Sequence, residues 1–434
     1  MLCCIVLLLT MAGCSEQQNV TRSADSSTDL RNAGYTLEKV VVLSRHNIRS
    51  PLSGEGSLLG SVTTHDWIEW SSDTSELTVR GSVAETAMGQ YFRLWTVENG
   101  LFEENARPEE GEVRFYANSK QRTLATAKSF SAGMFPVANI DVESHMEYDT
   151  MDPVFTPALN FVSESYNEAV QAQIDAMFRS DEALMSALQA DYALIEKVVD
   201  YKNSPAYQRG DCTDLVAEDF EVILKEGAEP SMAGSLKLGC QISDALVLQS
   251  YEAPDTKTAG FGRSLSGAQW AQISAVKDIY VDILYTAPLV SVNVAHPLLE
   301  EIRDELNSSH KFAFLCGHDS NIGSVLAALN VAPYELPDTP EIVPIGSKLT
   351  MEVWTRGGER YIAPRLIYAG ADQLRDLDIL TMENPPVKVD LAFTGLQKNA
   401  EGVYKLSDFL AKIQDALVAY DAILEQYGEL DAAA

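Results

Sequence analysis

The chain has 434 residues, 46% of them hydrophobic and 22% charged, and a formal net charge of -31. Such a length and balance belong to a globular protein with roughly two or three domains' worth of core, and they exclude a disordered chain and a bundle of membrane spans. The 63 acidic residues against 32 basic ones exclude a broad nucleic-acid surface, so an anionic substrate has to be drawn in by a local cluster of arginines.

Residues 1–14 are almost wholly apolar up to Gly13, too short to span a bilayer and about right for the core of an export signal. Met11-Ala12-Gly13-Cys14 resembles a bacterial lipobox, which makes Cys14 the expected lipid-bearing residue, although no basic residue precedes Leu2. The alternative is a soluble secreted protein cleaved nearby. Either way the protein is expected to be exported, periplasmic or lipid-anchored to the envelope, touching the membrane only through that anchor. Residues 15–34 are rich in Ser, Thr, Asp, Asn and Gln and read as a flexible tether. Three cysteines then remain: Cys316 ends an apolar run and reads as a buried free thiol, whereas Cys212 and Cys240 lie in polar surroundings where export permits a disulfide.

Val40 to Leu43 are apolar at consecutive positions, as in a strand covered on both faces, and Ser44-Arg45-His46 follows at once. The pattern returns at Val113 to Ala117, before Asn118-Ser119 and a helix with Arg122 in its first turn. It returns again at Phe312 to Cys316, before Gly317-His318-Asp319 and a helix through Ile322, Val325, Leu326 and Leu329. Between these blocks the spacing turns helical, with Val170, Ile174, Met177 and Phe178, then Leu184 and Leu188, then Leu194, Val198 and Tyr201. A last amphipathic helix from Ser407 to about Tyr420 presents Leu410, Ile413 and Leu417. The expected class is α/β, a mainly parallel sheet flanked by helices, with the catalytic body over 35–150 and 288–434 and a mainly helical insertion over 151–287.

Open α/β sheets bind ligands outside the carboxyl ends of their strands, where the following helices point their amino ends. Arg45, His46 and Arg49 sit at one such end, Arg122 at a second, and His318 and Asp319 at a third. Guanidinium groups supply the planar, bidentate positive charge that a phosphate monoester needs. A neutral His46 can take the phosphoryl group, His318 can donate to a phosphate oxygen, and Asp319 can return a proton to the leaving alkoxide. His65-Asp66 is a second His-Asp pair, but it follows Ser and Thr rather than an apolar strand, and a chance pairing is the better reading. His145, His296 and His310 are isolated, and without ligand spacing neither a metal site nor a cofactor is expected.

The segment RHNIRSP after a strand, with GHDSN far downstream, resembles the paired signatures of the histidine acid phosphatases. The resemblance runs from about Leu37 to the carboxyl end. It implies a phosphoglycerate-mutase-like sheet with an inserted helical domain, His46 as nucleophile, Asp319 as proton donor, and Arg45, Arg49, Arg122 and His318 as phosphate ligands. Within the family, Asn47 in place of the usual glycine and the segments YANSKQRTLATA, TMDP, YKNSPA and GHDSNIGSVLAAL are similar to the glucose-1-phosphatase branch. A cysteine of that branch is missing, with Tyr207 in its place. The similar segment LVLQSYEAP implies that Glu252 faces the leaving group, and a solvated helix-end glutamate is the alternative.

The expected substrate is a small phosphate monoester, glucose 1-phosphate or a similar sugar phosphate, and no nucleic acid. A phytase is the nearest alternative, disfavoured because a hexakisphosphate needs many cations beyond one cradle and few lysines lie near these segments. A non-catalytic lipoprotein that binds phosphorylated ligands is a second alternative, at odds with the presence of both His46 and Asp319. Nothing in the sequence sets the oligomeric state.

Overall fold

The computed structural model describes residues 30–53 and 57–428. The expected export signal, lipidation at Cys14 and most of the expected tether lie outside the described residues. Leu30 is already buried in the core, so residues 30–34 belong to the folded body and not to the tether expected over 15–34.

The strands in chain order are β1 (Thr36–Arg45), β2 (Val113–Ala117), β3 (Phe220–Ile223), β4 (Ser231–Gly234), β5 (Phe312–Gly317), β6 (Lys348–Arg356), β7 (Glu359–Tyr368), β8 (Val387–Asp390) and β9 (Tyr404–Lys405). Seven of them form one sheet in the order β2-β5-β1-β6-β7-β8, with β9 also on β7, while β3 and β4 make a separate hairpin. β2, β5 and β1 are mutually parallel, and from β6 onward each strand reverses against its neighbour. The α/β class expected from the sequence is thus the one observed, and its parallel part is the half that carries the motif segments.

The helices used below are α1 (Val79–Glu98), α2 (Gln121–Met134), α3 (Glu164–Ile174), α4 (Glu182–Val198), α5 (Ser235–Glu252), α6 (Gly267–Tyr285), α7 (Pro288–Asn307), α8 (Asp319–Ala328) and α9 (Leu406–Tyr427). Because side chains alternate across a strand, consecutive apolar residues must meet two cores. Val41 and Leu43 join a cluster with Leu299 of α7, Ile322 of α8 and Ile413 of α9. Val40 and Val42 join one with Phe92 of α1 and Phe130 of α2. A third cluster unites α3 to α6 with the β3–β4 hairpin, which the helical spacing does not announce.

Two local expectations change. After α3 the backbone makes a π turn over Asp175–Arg179, and the shifted phase leaves Met177 exposed while Phe178 stays buried. α9 runs to Tyr427 instead of Tyr420, and its last turns set Tyr420 and Tyr427 against Phe161 and Tyr166. Cys212 and Cys240 are both free, which corrects the disulfide allowed above. Cys212 packs against the helical cluster near Tyr201, whereas Cys240 on α5 lies in the field of Asp244 and Lys277, so the two thiols face different surroundings. Cys316 is buried and free, as expected.

Phe314 in β5, the middle strand of the parallel trio, stacks on Phe130 at 4.3 Å between ring centroids and is fully buried. Phe314→Ala is expected to cost about 3–5 kcal/mol, read as a lowered urea midpoint at unchanged slope; an unchanged midpoint would show that this stack carries no stability.

Candidate active site

Strand register brings the three motif segments together. In the parallel half Arg45 pairs with Gly317 and Ala117 with Cys316, so the carboxyl ends of β1, β5 and β2 lie side by side. The next residues keep the ladder going, with His46 N–H donating to Gly317 O at 3.0 Å and Asn118 N–H to Cys316 O at 2.9 Å. α2 and α8 begin just beyond, and their amino ends favour an anion at this edge.

His46 is buried, and its Nδ1 lies 2.9 Å from the carbonyl oxygen of Asn47. A carbonyl only accepts, so Nδ1 carries the ring proton and Nε2 keeps its lone pair. Burial first, then the charges of Arg122, Arg49, His318 and Arg45, hold the imidazole well below its ordinary range. His318 stands edge-on to His46 at 5.5 Å. Its Nε2 accepts from Asn118 Nδ2 at 2.7 Å, because Asn118 Oδ1 is taken by Asp152 N–H at 2.9 Å. The donor left to a neutral His318 is therefore Nδ1–H.

The arginines differ in their partners. Arg45 ties Nη1 to Glu341 at 2.7 Å and to the Val343 carbonyl, and Nη2 to Asp319 at 3.2 Å. Arg49 pairs Nη2 with Asp244 of α5 at 3.1 Å. Arg122 has no ion pair among the described residues; burial first, then Arg49, lowers its pKa to about 10. The Nε–H groups of all three are buried without a hydrogen-bond partner. Those Nε–H groups are closed to solvent, so what the three arginines offer an anion is the charge of their guanidinium groups, gathered from two strand ends.

Asp319 opens α8. Burial pushes its carboxyl up, but Arg45, then Lys277, His46 and Arg49 outweigh it and hold the group well below the usual carboxylate range. Behind it runs a chain of alternating charge: Asp319 to Arg45, Arg45 to Glu341, Glu341 to Lys277 at 3.3 Å, and Lys277 to Asp278 at 2.8 Å.

All six residues expected at the phosphate are thus brought to one edge. Glu252 is not among them: its Oε1 accepts from Ser71 Oγ at 2.8 Å, and it lies eight residues past Asp244 on α5, roughly 12 Å along the helix. The carboxylate whose charge reaches Arg122 and Asp319 is Glu229, which accepts from Tyr285 Oη at 3.3 Å. Sequence reasoning passes over Glu229, Asp244, Lys277 and Glu341. Asp244 does carry a signal, as a lone charge among apolar neighbours, and Lys277 carries one together with Asp278, as a charged pair on an otherwise buried helix face. The other histidines stay outside the cradle: His65 stacks on Phe261, His145 on Tyr116 and His296 on Tyr420, and His310 bonds Glu305.

Residues 36–368 match the family model of the histidine phosphatase superfamily (branch 2). The chain belongs to that family. It is a histidine acid phosphatase, a phosphoric monoester hydrolase, which sets aside a non-catalytic binding protein. It is 36% identical over 384 residues to the glucose-1-phosphatase of Salmonella typhimurium, covering 87% of this chain and 91% of the relative. It is 33% identical over 400 residues to that of Providencia rettgeri, covering 90% and 94%. Among solved structures, a phytase from Citrobacter braakii superposes with a TM-score of 0.80 at 25% identity, covering 89% of this chain and 99% of that one.

An unpaired guanidinium that repels Arg49 is costly to the fold, a cost expected where the charge is kept for a ligand. Arg122→Met in this phosphatase is expected to weaken inhibition by inorganic phosphate about 10- to 100-fold, the loss of one charge-assisted contact, without lowering the thermal midpoint. Phosphate inhibition at the wild-type level would remove Arg122 from the cradle.

Proposed function

We propose that the enzyme hydrolyses small sugar phosphates, glucose 1-phosphate foremost, through a phosphohistidine on His46. The observation that carries this reading is the pairing of a Nδ1 tied to the Asn47 carbonyl with three guanidinium groups, Arg122, Arg49 and Arg45, whose charges all act on the same imidazole. Nε2 attacks phosphorus in line while Arg45, Arg49, Arg122 and the Nδ1–H of His318 take the phosphoryl oxygens. The bond from phosphorus to the ester oxygen breaks, and that oxygen takes a proton from Asp319. Water then attacks the phosphohistidine, gives a proton back to the Asp319 carboxylate, and leaves inorganic phosphate and free imidazole.

Asp319 is ionised when it faces Arg45 alone. A bound phosphate dianion shares the charge of Arg45 and adds its own repulsion, and both raise the proton affinity of the neighbouring carboxyl. Proton donation thus depends on substrate and on acidic medium. His46 has the opposite requirement, because a protonated imidazole has no lone pair to attack with. Its depressed pKa meets that requirement, keeping Nε2 free well below pH 6.5. We therefore expect kcat/KM to hold through the usual histidine range near pH 6.5 on the acidic side; a loss of half the activity as pH falls through that value would count against His46 as the attacking group.

The named relatives from Salmonella and Providencia support a sugar phosphate, and the phytase from Citrobacter supports the alternative. Glu229 beside Arg122, its carboxyl raised by burial, favours the first wherever it is ionised, because a highly charged hexakisphosphate then meets like charge at that side. A panel of glucose 1-phosphate, other sugar phosphates and phytate, run beside His46→Ala, tests both parts. We expect glucose 1-phosphate to lead and His46→Ala to be inactive; activity in that variant near the wild-type level sinks the mechanism, and a clear phytate preference reverses the ranking. With the same panel run toward neutral pH, so that the raised carboxyl of Glu229 is ionised, Glu229→Gln should shift the phytate to glucose 1-phosphate ratio of kcat/KM upward by about three- to tenfold, through removal of one repulsive charge.

A further inference from the structure

Behind the proposed nucleophile lies a buried ion pair that touches neither the phosphate cradle nor the solvent. Glu85, in the second turn of α1, and Lys348, at the start of β6, are both fully buried, with Nζ 2.9 Å from Oε1. Such a pair is a poor source of stability, since desolvation offsets the attraction and apolar residues of similar volume often do as well. Its hydrogen bonds lead back to His46 from two sides. Glu85 Oε2 accepts from Asn47 Nδ2 at 2.8 Å, and the Asn47 carbonyl accepts from His46 Nδ1 at 2.9 Å. Lys348 Nζ donates to Gly346 O at 2.7 Å, and Gly346 N–H donates to His46 O at 3.1 Å. The circuit closes on the ring of His46 at one end and on its backbone at the other.

The surroundings leave this circuit little play. Asn47 Oδ1 accepts from Ile48 N–H at 2.8 Å, so the amide cannot turn over. Gly346 has φ +67, and a Cβ there would stand 2.5 Å from Asn47 Nδ2. A Cβ on Gly81 would stand 2.3 Å from Ile48 O, so the start of α1 presses directly on the motif loop and fixes the height of Glu85 beneath it. Lys348 Nζ lies 5.8 Å from the ring centroids of both Phe130 and Phe314.

From this geometry we infer that Glu85 is a positioning residue of the reaction, holding Asn47 so that its carbonyl keeps the proton on Nδ1 of His46 and the lone pair on Nε2. The inference rests on the reading of His46 as nucleophile. Glu85 reaches none of the arginines, so its loss should slow the chemical step and leave phosphate binding alone. A misplaced or wrongly protonated ring costs up to about 100-fold in rate.

The test compares two double variants of the full chain. Glu85→Leu with Lys348→Met removes the acceptor and the pair together, whereas Glu85→Gln with Lys348→Met restores an acceptor for Asn47 without the charge. In the first we expect kcat to fall about 10- to 100-fold while KM and inhibition by inorganic phosphate stay within about threefold. In the second we expect kcat to recover to within about fivefold of wild type. Asn47→Ala, which leaves the ion pair in place, should repeat the loss confined to kcat and serves if the apolar pair does not fold. Wild-type kcat in the Leu/Met variant or in Asn47→Ala overturns the inference, as does an equal loss in the Gln/Met variant or a loss of phosphate binding in step with kcat. If His46→Ala is inactive while Leu/Met keeps the wild-type rate, only the role of Glu85 fails. If His46→Ala stays active, the reading of the nucleophile beneath it fails.

Discussion

Three guanidinium groups converge on the carboxyl edge of the parallel strands, and like charges at that spacing repel unless something holds them. Asp319 and Glu341 hold Arg45, and Asp244 holds Arg49. Arg122 is left without such a partner, and its lowered pKa records the remaining repulsion and burial. This is how a chain with a net charge of -31 holds three guanidinium groups together at one edge. Global charge governs solubility and long-range steering, while a partly buried cluster keeps its own sign because solvent and salt screen it less.

Those counter-charges tie the two parts of the structure together. Asp244 and Lys277 come from α5 and α6, whose apolar faces pack in the helical cluster, and Arg45 and Glu341 come from the sheet side. The row from Asp319 through Arg45, Glu341 and Lys277 to Asp278 runs across that junction. A buried row of this kind contributes little net stability, but breaking one link leaves a charge uncompensated, which makes it stringent about geometry. It also sets the ionisation of Asp319, so α6, through Lys277, tunes the proposed acid.

The side proposed to meet the rest of the substrate follows a different logic. The phosphate edge is built from strand ends whose register leaves little freedom, whereas Glu229 precedes the short strand β4 of the hairpin and is tied by a single hydrogen bond from Tyr285. Residues on such connections can change without disturbing the sheet. That arrangement is consistent with one fold serving relatives named as sugar phosphatases and others named as phytases.

Much of the phosphate edge was legible in the amino-acid sequence, because it follows from local rules. Consecutive apolar residues at Val40–Leu43, Val113–Ala117 and Phe312–Cys316 mark strands covered on both faces, and the polar residues directly after them fall at strand ends whatever the rest of the chain does. His46, Arg122 and Asp319 could be named on that ground alone. Glu252 was placed by its likeness to a segment, and helix α5 carries it two turns beyond the edge to Ser71. Glu229, Glu341, and the pair of Glu85 with Lys348 had no local mark, since each is defined by a contact more than fifty residues away in the chain. Periodicity reports which face of an element is buried, but it does not say which charge on another element will meet it there. That choice waits for strands and helices to pack, when desolvation makes every unpaired charge costly and selects the partners that remain.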